Sequence, residues 1–176
     1  ILNIGGENDK NRFSEIIEDA LRNRNSIGGT IECKASGIPI GLGEPFFNSV
    51  ESLISHAIFA IPAVRGIEFG DGFKAAFQKG SEHNDFIADR NGKTVTNHAG
   101  GINGGITNGN DIIFRIAVKP TSSISSPQMT FNTETQKIEE LVIKGRHDAC
   151  IALRVPVIVE AMTALVLADL SLIHKK

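Results

Sequence analysis

The sequence predicts an α+β domain in which an antiparallel sheet packs on a layer of helices. Apolar residues recur at helical spacing in three separate stretches, and short strand patterns are interleaved with them. The strand patterns are those of hairpins and half-buried strands, whereas parallel sheets have continuous apolar runs. Because 176 residues are enough for one sizeable core, we expect a single domain over residues 1–176.

The composition is that of an ordinary soluble protein. Apolar residues make up 41% and charged residues 22% of the chain, and the net charge is −2. No basic field therefore indicates nucleic acid or an anionic membrane as a partner. The apolar run at residues 161–168 is too short to span a bilayer, and the first residues have no signal-peptide pattern. Cys33 and Cys150 lack metal-ligand spacing, so we expect a cytoplasmic protein with reduced thiols and no metal site.

The first half of the chain alternates between helix and strand patterns. A short strand is predicted at residues 1–4, an amphipathic helix at 13–21 and a half-buried strand at 30–35. After a loop rich in Gly and Pro, a second helix is predicted at 50–58, with Asn48 or Ser49 as its N-cap. A strand at 67–69 follows. Residues 73–77 suit either a short strand or a helical turn, and the polar residues 80–97 suit a mobile loop.

Five glycines lie within residues 97–109, four of them as two Gly-Gly pairs, in the sequence NHAGGINGGITNG. One interpretation is a pair of tight turns, and the other is a bare backbone that cradles a flat or anionic ligand. Composition alone does not separate the two. The alternating residues that follow, 111–118, predict the clearest strand of the chain.

That strand ends in the KPTSS segment (residues 119–123), where a lysine and three hydroxyls come together. Such a set suits a phosphate group, which accepts hydrogen bonds from a cation and from neutral donors. Taken alone, the segment is more simply a polar turn whose hydroxyls bond local backbone. A hairpin is then predicted around residues 133–136, and an apolar helix from Pro156 to about Ile173 is expected to be the most buried helix.

Between the hairpin and the last helix lies the GRHDAC segment (residues 145–150). Arg146 can hold a phosphate or carboxylate, and Asp148 can orient a partner or move a proton. Alternatively, Arg146 and Asp148 are an ion pair that closes a helix N-terminus. The two interpretations are equally consistent with this stretch.

Several motifs nevertheless occur together in one order. They are RNSIGG (residues 24–29), GLGEPFFNSVE, IPAVRGIEFGDGF, GSEHND, NHAGGINGGITNG, KPTSSI and GRHDACIALRVPVIVEAM. This series resembles the second half of chorismate synthase. The resemblance covers nearly the whole chain, although Asn25 and Ala149 stand where that family usually has Asp and Pro.

The resemblance implies a fold, a reaction and a set of partners. The fold is half of a β-α-β sandwich, with helices between two antiparallel sheets, assembled as a homotetramer. The reaction, in the shikimate pathway of aromatic amino acid biosynthesis, is the 1,4-elimination of phosphate from 5-enolpyruvylshikimate 3-phosphate, and it requires reduced FMN. By the same resemblance the catalytic residues are Asp148 and Arg146. The implied FMN contacts are Pro62, Ala63, Gly104, Lys119, Pro120, Thr121, Ser122, Ser123 and Arg146.

The chain resembles the C-terminal portion of that family only. The G-E-S-H-G segment, the substrate-binding arginines and the second essential histidine of the N-terminal half have no counterpart here. We therefore expect the chain to be inactive alone. The alternative is a non-catalytic domain that binds phosphate or flavin, or that serves assembly.

Overall fold

The computed structural model describes residues 7–174, so the strand predicted at residues 1–4 lies outside the described residues. The helices are α1 (Glu7–Arg22), α2 (Val50–Phe59), α3 (Gly80–His83) and α4 (Pro156–His174). The strands are β1 (Gly29–Ala35), β2 (Val64–Phe69), β3 (Ile102–Asn103), β4 (Ile106–Thr107), β5 (Ile112–Val118), β6 (Gln128–Asn132) and β7 (Lys137–Leu141). Single 3-10 turns occur at Phe46–Asn48, Gly72–Phe77 and Ile151–Arg154.

The chain divides into two compact units. Unit 1 contains the residues up to Gly29 together with Val118–Leu153, and unit 2 contains Thr30–Ala117 together with the residues from Arg154 onward. Unit 1 includes α1 and the hairpin of β6 and β7. Unit 2 includes α2, α3, α4 and most of the central sheet. The expectation of a single domain stays a prediction.

The central sheet has three strands in the order β1-β5-β2. The Glu68–Arg115 ion pair joins β2 to β5, and the amide of Gly70 bonds the carbonyl of Ile113. Later residues of β2 therefore lie opposite earlier residues of β5, so the two strands are antiparallel. Lys34, near the end of β1, pairs with Asp111 before the start of β5, so β1 is antiparallel to β5 as well.

The central sheet of the described residues is therefore antiparallel and has three strands. The remaining strands form two separate antiparallel hairpins, β3-β4 and β6-β7. Strand β5 fulfils its prediction, because Ile112, Phe114, Ile116 and Val118 are all buried on one face. The ring of Phe114 lies 5.5 Å from that of Phe69, which adds an aromatic contact to this core.

Two helices pack in unit 2. Helix α2 begins at Ser49, whose hydroxyl accepts a hydrogen bond from the amide of Ser52, and this N-cap is one of the two predicted. Its buried residues Val50, Ile54 and Ile58 recur at a spacing of four, and α2 packs against α4 and β2. Helix α4 reaches β1 through a contact of 3.8 Å between Thr163 Oγ1 and Cys33 Sγ.

The expectation that α4 would be the most buried helix is wrong, because α2 buries a larger share of its residues. It buries one stripe, consisting of Val159, Thr163, Leu167 and Leu170, along 19 residues. Other apolar side chains on it are between 43% and 67% exposed; these are Val157, Ile158, Leu165, Leu172 and Ile173. A helix that is apolar on all sides is covered only where another element packs on it, and among the described residues that is the stripe alone.

Judged by length and composition alone, helix α4 is also long and apolar enough to cross a membrane. Its most apolar part has a mean hydropathy of 1.9. The core helices of soluble proteins pass the same test, so the finding is weak evidence for a membrane span. The shorter run at residues 161–168 lies inside this helix. The buried stripe shows that α4 serves in part as a core helix.

The structure settles one loop prediction that the sequence left open, and it differs from another. Residues 72–77 form a 3-10 turn, which decides between the two options left open by the sequence. The predicted mobile loop at 80–97 begins with α3 and contains a bridge between Ile87 and Thr94. Its Asp85 carboxylate accepts hydrogen bonds from the amides of His98 and Ala99, which tie the loop to the glycine run.

The glycine run itself makes tight turns, as one of its two interpretations predicted. Gly104 and Gly105 connect β3 to β4 with φ values of 60° and 86°. A two-residue hairpin loop with positive φ at both positions is where glycine is favoured, because it has no Cβ to clash. A Cβ at Gly104 would meet nothing within 4 Å, so its outer side is open.

Candidate functional site

Three segments that are far apart in the sequence meet in unit 1: the RNSIGG, KPTSS and GRHDAC segments. The hydroxyl of Ser26 donates a hydrogen bond of 2.6 Å to the carbonyl of Thr121. The next residue, Ile27, donates its amide N–H to the carbonyl of Ala149 over 2.8 Å. The RNSIGG segment therefore connects the two segments that carry the predicted phosphate-binding and charged residues.

The backbones of two of these segments pass very close to each other. A Cβ at Gly28 would lie 2.4 Å from the Val118 carbonyl oxygen and 3.2 Å from the Pro120 ring. Such separations exclude any side chain at this position unless the backbone moves. Gly28 thus permits the RNSIGG segment to lie directly on the start of the KPTSS segment.

Within the KPTSS segment, Thr121 Oγ1 is buried and has no hydrogen-bond partner in the described structure. Lys119 and Ser123 are half-buried, and Ser122 is exposed. Because a buried hydroxyl without a partner costs free energy, such atoms in native proteins bond an ordered water, an ion or a ligand. The donor set of an ammonium group and three hydroxyls fits an anion such as the phosphate of FMN.

The GRHDAC segment presents its charged residues on an irregular turn. Arg146 is exposed, whereas His147 and Asp148 are half-buried. Nε2 of His147 lies 3.1 Å from the carbonyl oxygen of Ile143, which holds the ring against the start of the segment. The 3-10 turn at Ile151–Arg154 separates Asp148 from α4. Asp148 therefore does not directly precede that helix.

Beside these segments lies a cleft of about 200 Å³ in unit 1. Its lining comes from the end of α1, from the RNSIGG segment, from the residues after KPTSS and from the GRHDAC turn; the residues are Leu21, Arg24, Asn25, Ile124, Ser125, Gly145 and His147. Four of these seven residues have polar or charged side chains. Such a lining can accommodate a small anionic or hydrogen-bonding group.

The remaining predicted contacts belong to unit 2. Pro62 is exposed, and Ala63 is half-buried with a φ of 71°, which is unusual for a residue with a side chain. Gly104 lies at the tip of the β3-β4 hairpin. The structure thus places two groups of predicted contacts in different units. Unit 1 holds Lys119, Pro120, Thr121, Ser122, Ser123, Arg146 and Asp148, in two segments that each contact the RNSIGG segment, and unit 2 holds Pro62, Ala63 and Gly104.

Unit 2 also contains a cluster of titratable residues that sequence reasoning missed. Nδ1 of His98 lies 2.8 Å from Oδ2 of Asp71, and Gln78 Nε2 donates to the same oxygen over 2.7 Å. The hydrogen bond from Gln78 is the largest of the effects that hold the pKa of Asp71 below its ordinary value, and His98 acts in the same direction. The His83 ring lies 5.9 Å from that of His98.

Only a faint signal in the sequence marks this cluster. Asp71, Gln78, His83 and His98 lie in four different segments, and no spacing rule joins them. Asp71, His83 and His98 each lie in a different one of the motifs quoted above, IPAVRGIEFGDGF, GSEHND and NHAGGINGGITNG. No group of three or more His, Cys, Asp or Glu residues in the described part of the chain is arranged to hold a metal ion.

Comparisons with known proteins agree on one family. A sequence model of the family described as chorismate synthase matches residues 2–172. The chain is 59% identical over 160 residues to a chorismate synthase of Chitinophaga pinensis, covering 91% of this chain and 48% of that protein. It is 52% identical over 164 residues to a chorismate synthase of Lachnoclostridium phytofermentans, covering 92% of this chain and 44% of that protein.

A solved structure gives the same result in three dimensions. A crystal structure of chorismate synthase superposes with a TM-score of 0.72 at 31% sequence identity. The match covers 90% of this chain and 41% of that chain. The present chain therefore spans about half the length of the relatives it matches.

Proposed function

The chain belongs to the chorismate synthase family, and on that premise we propose that it forms one wall of the flavin- and substrate-binding site of such an enzyme. The family membership confirms the resemblance read from the motifs, and the α+β class with antiparallel sheets is confirmed as well. The observation that carries the proposal is the convergence of the RNSIGG, KPTSS and GRHDAC segments through Ser26 and Ile27.

The proposed reaction is the conversion of 5-enolpyruvylshikimate 3-phosphate to chorismate. The carbon–oxygen bond to phosphate breaks, a proton is lost at the other end of the 1,4 unit, and a new double bond forms while phosphate departs. Reduced FMN, when bound, supplies an electron-rich ring beside the substrate without net oxidation. The protein must therefore hold two anionic molecules, the flavin phosphate and the phosphorylated substrate, and it must provide a route for a proton.

The KPTSS segment is proposed to hold the FMN phosphate. Lys119 supplies a positive charge, and the hydroxyls of Thr121, Ser122 and Ser123 supply neutral donors. The buried Thr121 Oγ1 without a partner supports this assignment, because a phosphate oxygen would satisfy it. Pro120 sets the backbone direction between these donors. Pro62, Ala63 and Gly104 are proposed to contact the flavin through backbone atoms, since none of them has a polar side chain.

The GRHDAC segment is proposed to carry the catalytic residues. Arg146 contacts both the flavin and an anionic group of the substrate, where its planar guanidinium suits oxygen pairs. Asp148 would supply the carboxylate that takes up or returns a proton beside the bound flavin. The exposure of Arg146 and the half-burial of Asp148 support these different roles, since one must reach a ligand and the other must act in a drier place.

The wider setting is proposed from the family as a whole. The chain corresponds to the C-terminal portion of a chorismate synthase, acts in the cytoplasm within aromatic amino acid biosynthesis, and takes part in a homotetramer. A second candidate function, an assembly domain, is favoured by one specific observation. The exposed apolar face of α4, including Leu165 and Leu172, is suited to contact another protein surface.

Flavin titration of the purified 176-residue chain tests the binding part of this proposal. We expect saturable quenching of FMN fluorescence, with an affinity well below that of a full-length relative, because much of the site lies outside this chain. The Arg146→Ala variant should bind FMN about tenfold to a hundredfold more weakly, which is the cost of one charge-assisted contact. In a full-length relative, replacement by Ala of the Asp that corresponds to Asp148 should mainly slow turnover. Equal FMN binding by Arg146→Ala would contradict the assignment of Arg146.

A further inference from the structure

Ser26 has no assigned role, yet its side chain makes the contact that joins the RNSIGG segment to the KPTSS segment. Its hydroxyl donates to the Thr121 carbonyl over 2.6 Å in a partly buried position. Its own amide donates to Oδ1 of Asn25 over 2.8 Å, which fixes the local turn. The Ser26 side chain is therefore held in place on one side by its own turn and on the other by the KPTSS backbone.

Thr121 supplies both the carbonyl that Ser26 bonds and the hydroxyl that has no partner. Ser26 bonds the Thr121 carbonyl, and Thr121 Oγ1 stays buried without a partner. Fixing the peptide at Thr121 limits the directions in which its side chain and the amide of Ser122 can point. A binding loop whose donors are fixed before the ligand arrives loses less conformational entropy when it binds.

Two further contacts hold the backbone of the RNSIGG segment next to Ser26. The Ile27 amide bonds the Ala149 carbonyl, and Gly28 packs against the Val118 carbonyl. Both contacts lie next to Ser26 in the chain. They keep the RNSIGG backbone fixed even if the Ser26 hydroxyl is removed, so the effect of that hydroxyl can be measured separately from the fold.

We propose that Ser26 is a positioning residue for the flavin phosphate, acting through the carbonyl of Thr121. This inference rests on the proposed function, in which the KPTSS segment binds that phosphate. Ser26 does not touch the ligand. It holds the donors of residues 121–123 in the arrangement that a phosphate requires, and its contribution is specific to the phosphate end of the flavin.

The test compares FMN with riboflavin, which is the same flavin without the phosphate. Dissociation constants of both are measured by fluorescence for the wild-type chain and for Ser26→Ala, Ser26→Thr and Ser14→Ala. Ser26→Ala should raise the FMN dissociation constant about fivefold, the usual effect of one neutral hydrogen bond, and leave riboflavin binding unchanged. Ser26→Thr keeps the hydroxyl and should restore FMN binding. Ser14 lies exposed on α1 and is the matched control.

Amide hydrogen exchange gives a second readout that needs no ligand. In Ser26→Ala the amides of Ser122 and Ser123 should exchange faster than in the wild type, while those of α1 should not change. Equal loss of FMN and riboflavin binding would indicate a general structural defect and overturn the inference. Unchanged FMN binding in Ser26→Ala would overturn it while leaving the proposed function intact. A wild-type chain with no preference for FMN over riboflavin would refute the proposed phosphate site and this inference together.

Discussion

At Gly28 the absence of a side chain permits the RNSIGG segment to contact the start of the KPTSS segment. Its position beside the Val118 carbonyl leaves no room for a Cβ. Gly29 is nearly as confined, since a Cβ there would lie 2.8 Å from that of Ala152. The two glycines of the RNSIGG segment are thus required by packing, and the functional groups nearby depend on that packing.

Replacing Gly28 should therefore test the geometry of unit 1. We expect Gly28→Ala to lower the free energy of unfolding by about 1–3 kcal/mol, because the added methyl group forces backbone movement. Gly80→Ala is the matched control, since a Cβ there meets nothing within 4 Å. Urea denaturation of both variants gives the comparison. If Gly28→Ala were as stable as Gly80→Ala, the close approach to Val118 would be wrong.

Asp85 shows how one carboxylate orders a loop whose composition predicts mobility. It accepts hydrogen bonds from the amides of His98 and Ala99 and from the hydroxyl of Thr96. Burial raises the pKa of Asp85, but these hydrogen bonds outweigh burial and hold the pKa below its ordinary value of 3.8. No sequence pattern marks this acid, because its partners lie eleven or more residues away.

The pH dependence of stability follows from that shift. A carboxyl whose pKa is depressed in the folded state stabilises the fold above its unfolded pKa, and this contribution is lost as the pH falls through the folded pKa. Asp85→Asn should therefore lower stability by about 1–2 kcal/mol at pH 6, and the difference from the wild type should shrink below pH 3.8. Thermal unfolding at pH values from 2 to 7 measures this. A difference that stays constant over the range would contradict the role of the Asp85 charge.

At the scale of elements, local patterns predicted what local physics determines. Strand β5 and the β6-β7 hairpin are found where alternation and turn residues placed them, and Ser49 caps α2 as a serine before an apolar helix should. The width of the central sheet was not predictable, because pairing joins strands that are distant in the chain. The burial of α4 was predicted wrongly for a related reason: composition shows how much apolar surface a helix has, but not what covers it.

The exposed face of α4 leads to a prediction about association. Leu165 and Leu172 are 66% and 65% exposed, seven residues apart on the helix, and Val157 and Ile158 extend the apolar surface toward its start. We expect the purified chain to self-associate at micromolar concentration, because burying this surface removes apolar area from water. The double variant Leu165→Glu and Leu172→Glu should weaken association by at least tenfold.

Analytical ultracentrifugation over a concentration series measures that change. The matched control is Glu160→Gln together with Asp169→Asn, two exposed positions of the same helix whose charges are removed. This control should associate as strongly as the wild type or more so. A wild-type chain that sediments as a clean monomer across the micromolar range would contradict the prediction.

At the scale of the whole molecule, the proposed site combines segments that are distant from one another in the sequence. The residue types of the KPTSS and GRHDAC segments suit phosphate and proton chemistry, but only the resemblance to a family favoured that interpretation over a polar turn and an ion pair. Their meeting point could not be found in that way, because Ser26 reaches Thr121 across 95 positions of the chain. Residue types predict which chemistry is possible, and only the fold shows which groups share a site.

The last prediction concerns turnover. The elimination requires several cations on the anionic groups of the substrate, an acid at the departing phosphate and a proton partner for the flavin. This chain provides Lys119, Arg146 and Asp148, together with the KPTSS hydroxyls, while it spans about half the length of the relatives it matches. We therefore expect no measurable chorismate from the 176-residue chain in an anaerobic assay with photoreduced FMN and 5-enolpyruvylshikimate 3-phosphate. A full-length relative, such as the protein of Chitinophaga pinensis, serves as the positive control. Turnover by the chain alone at a comparable rate would show that its own residues complete the site and that the proposed division of the active site is wrong.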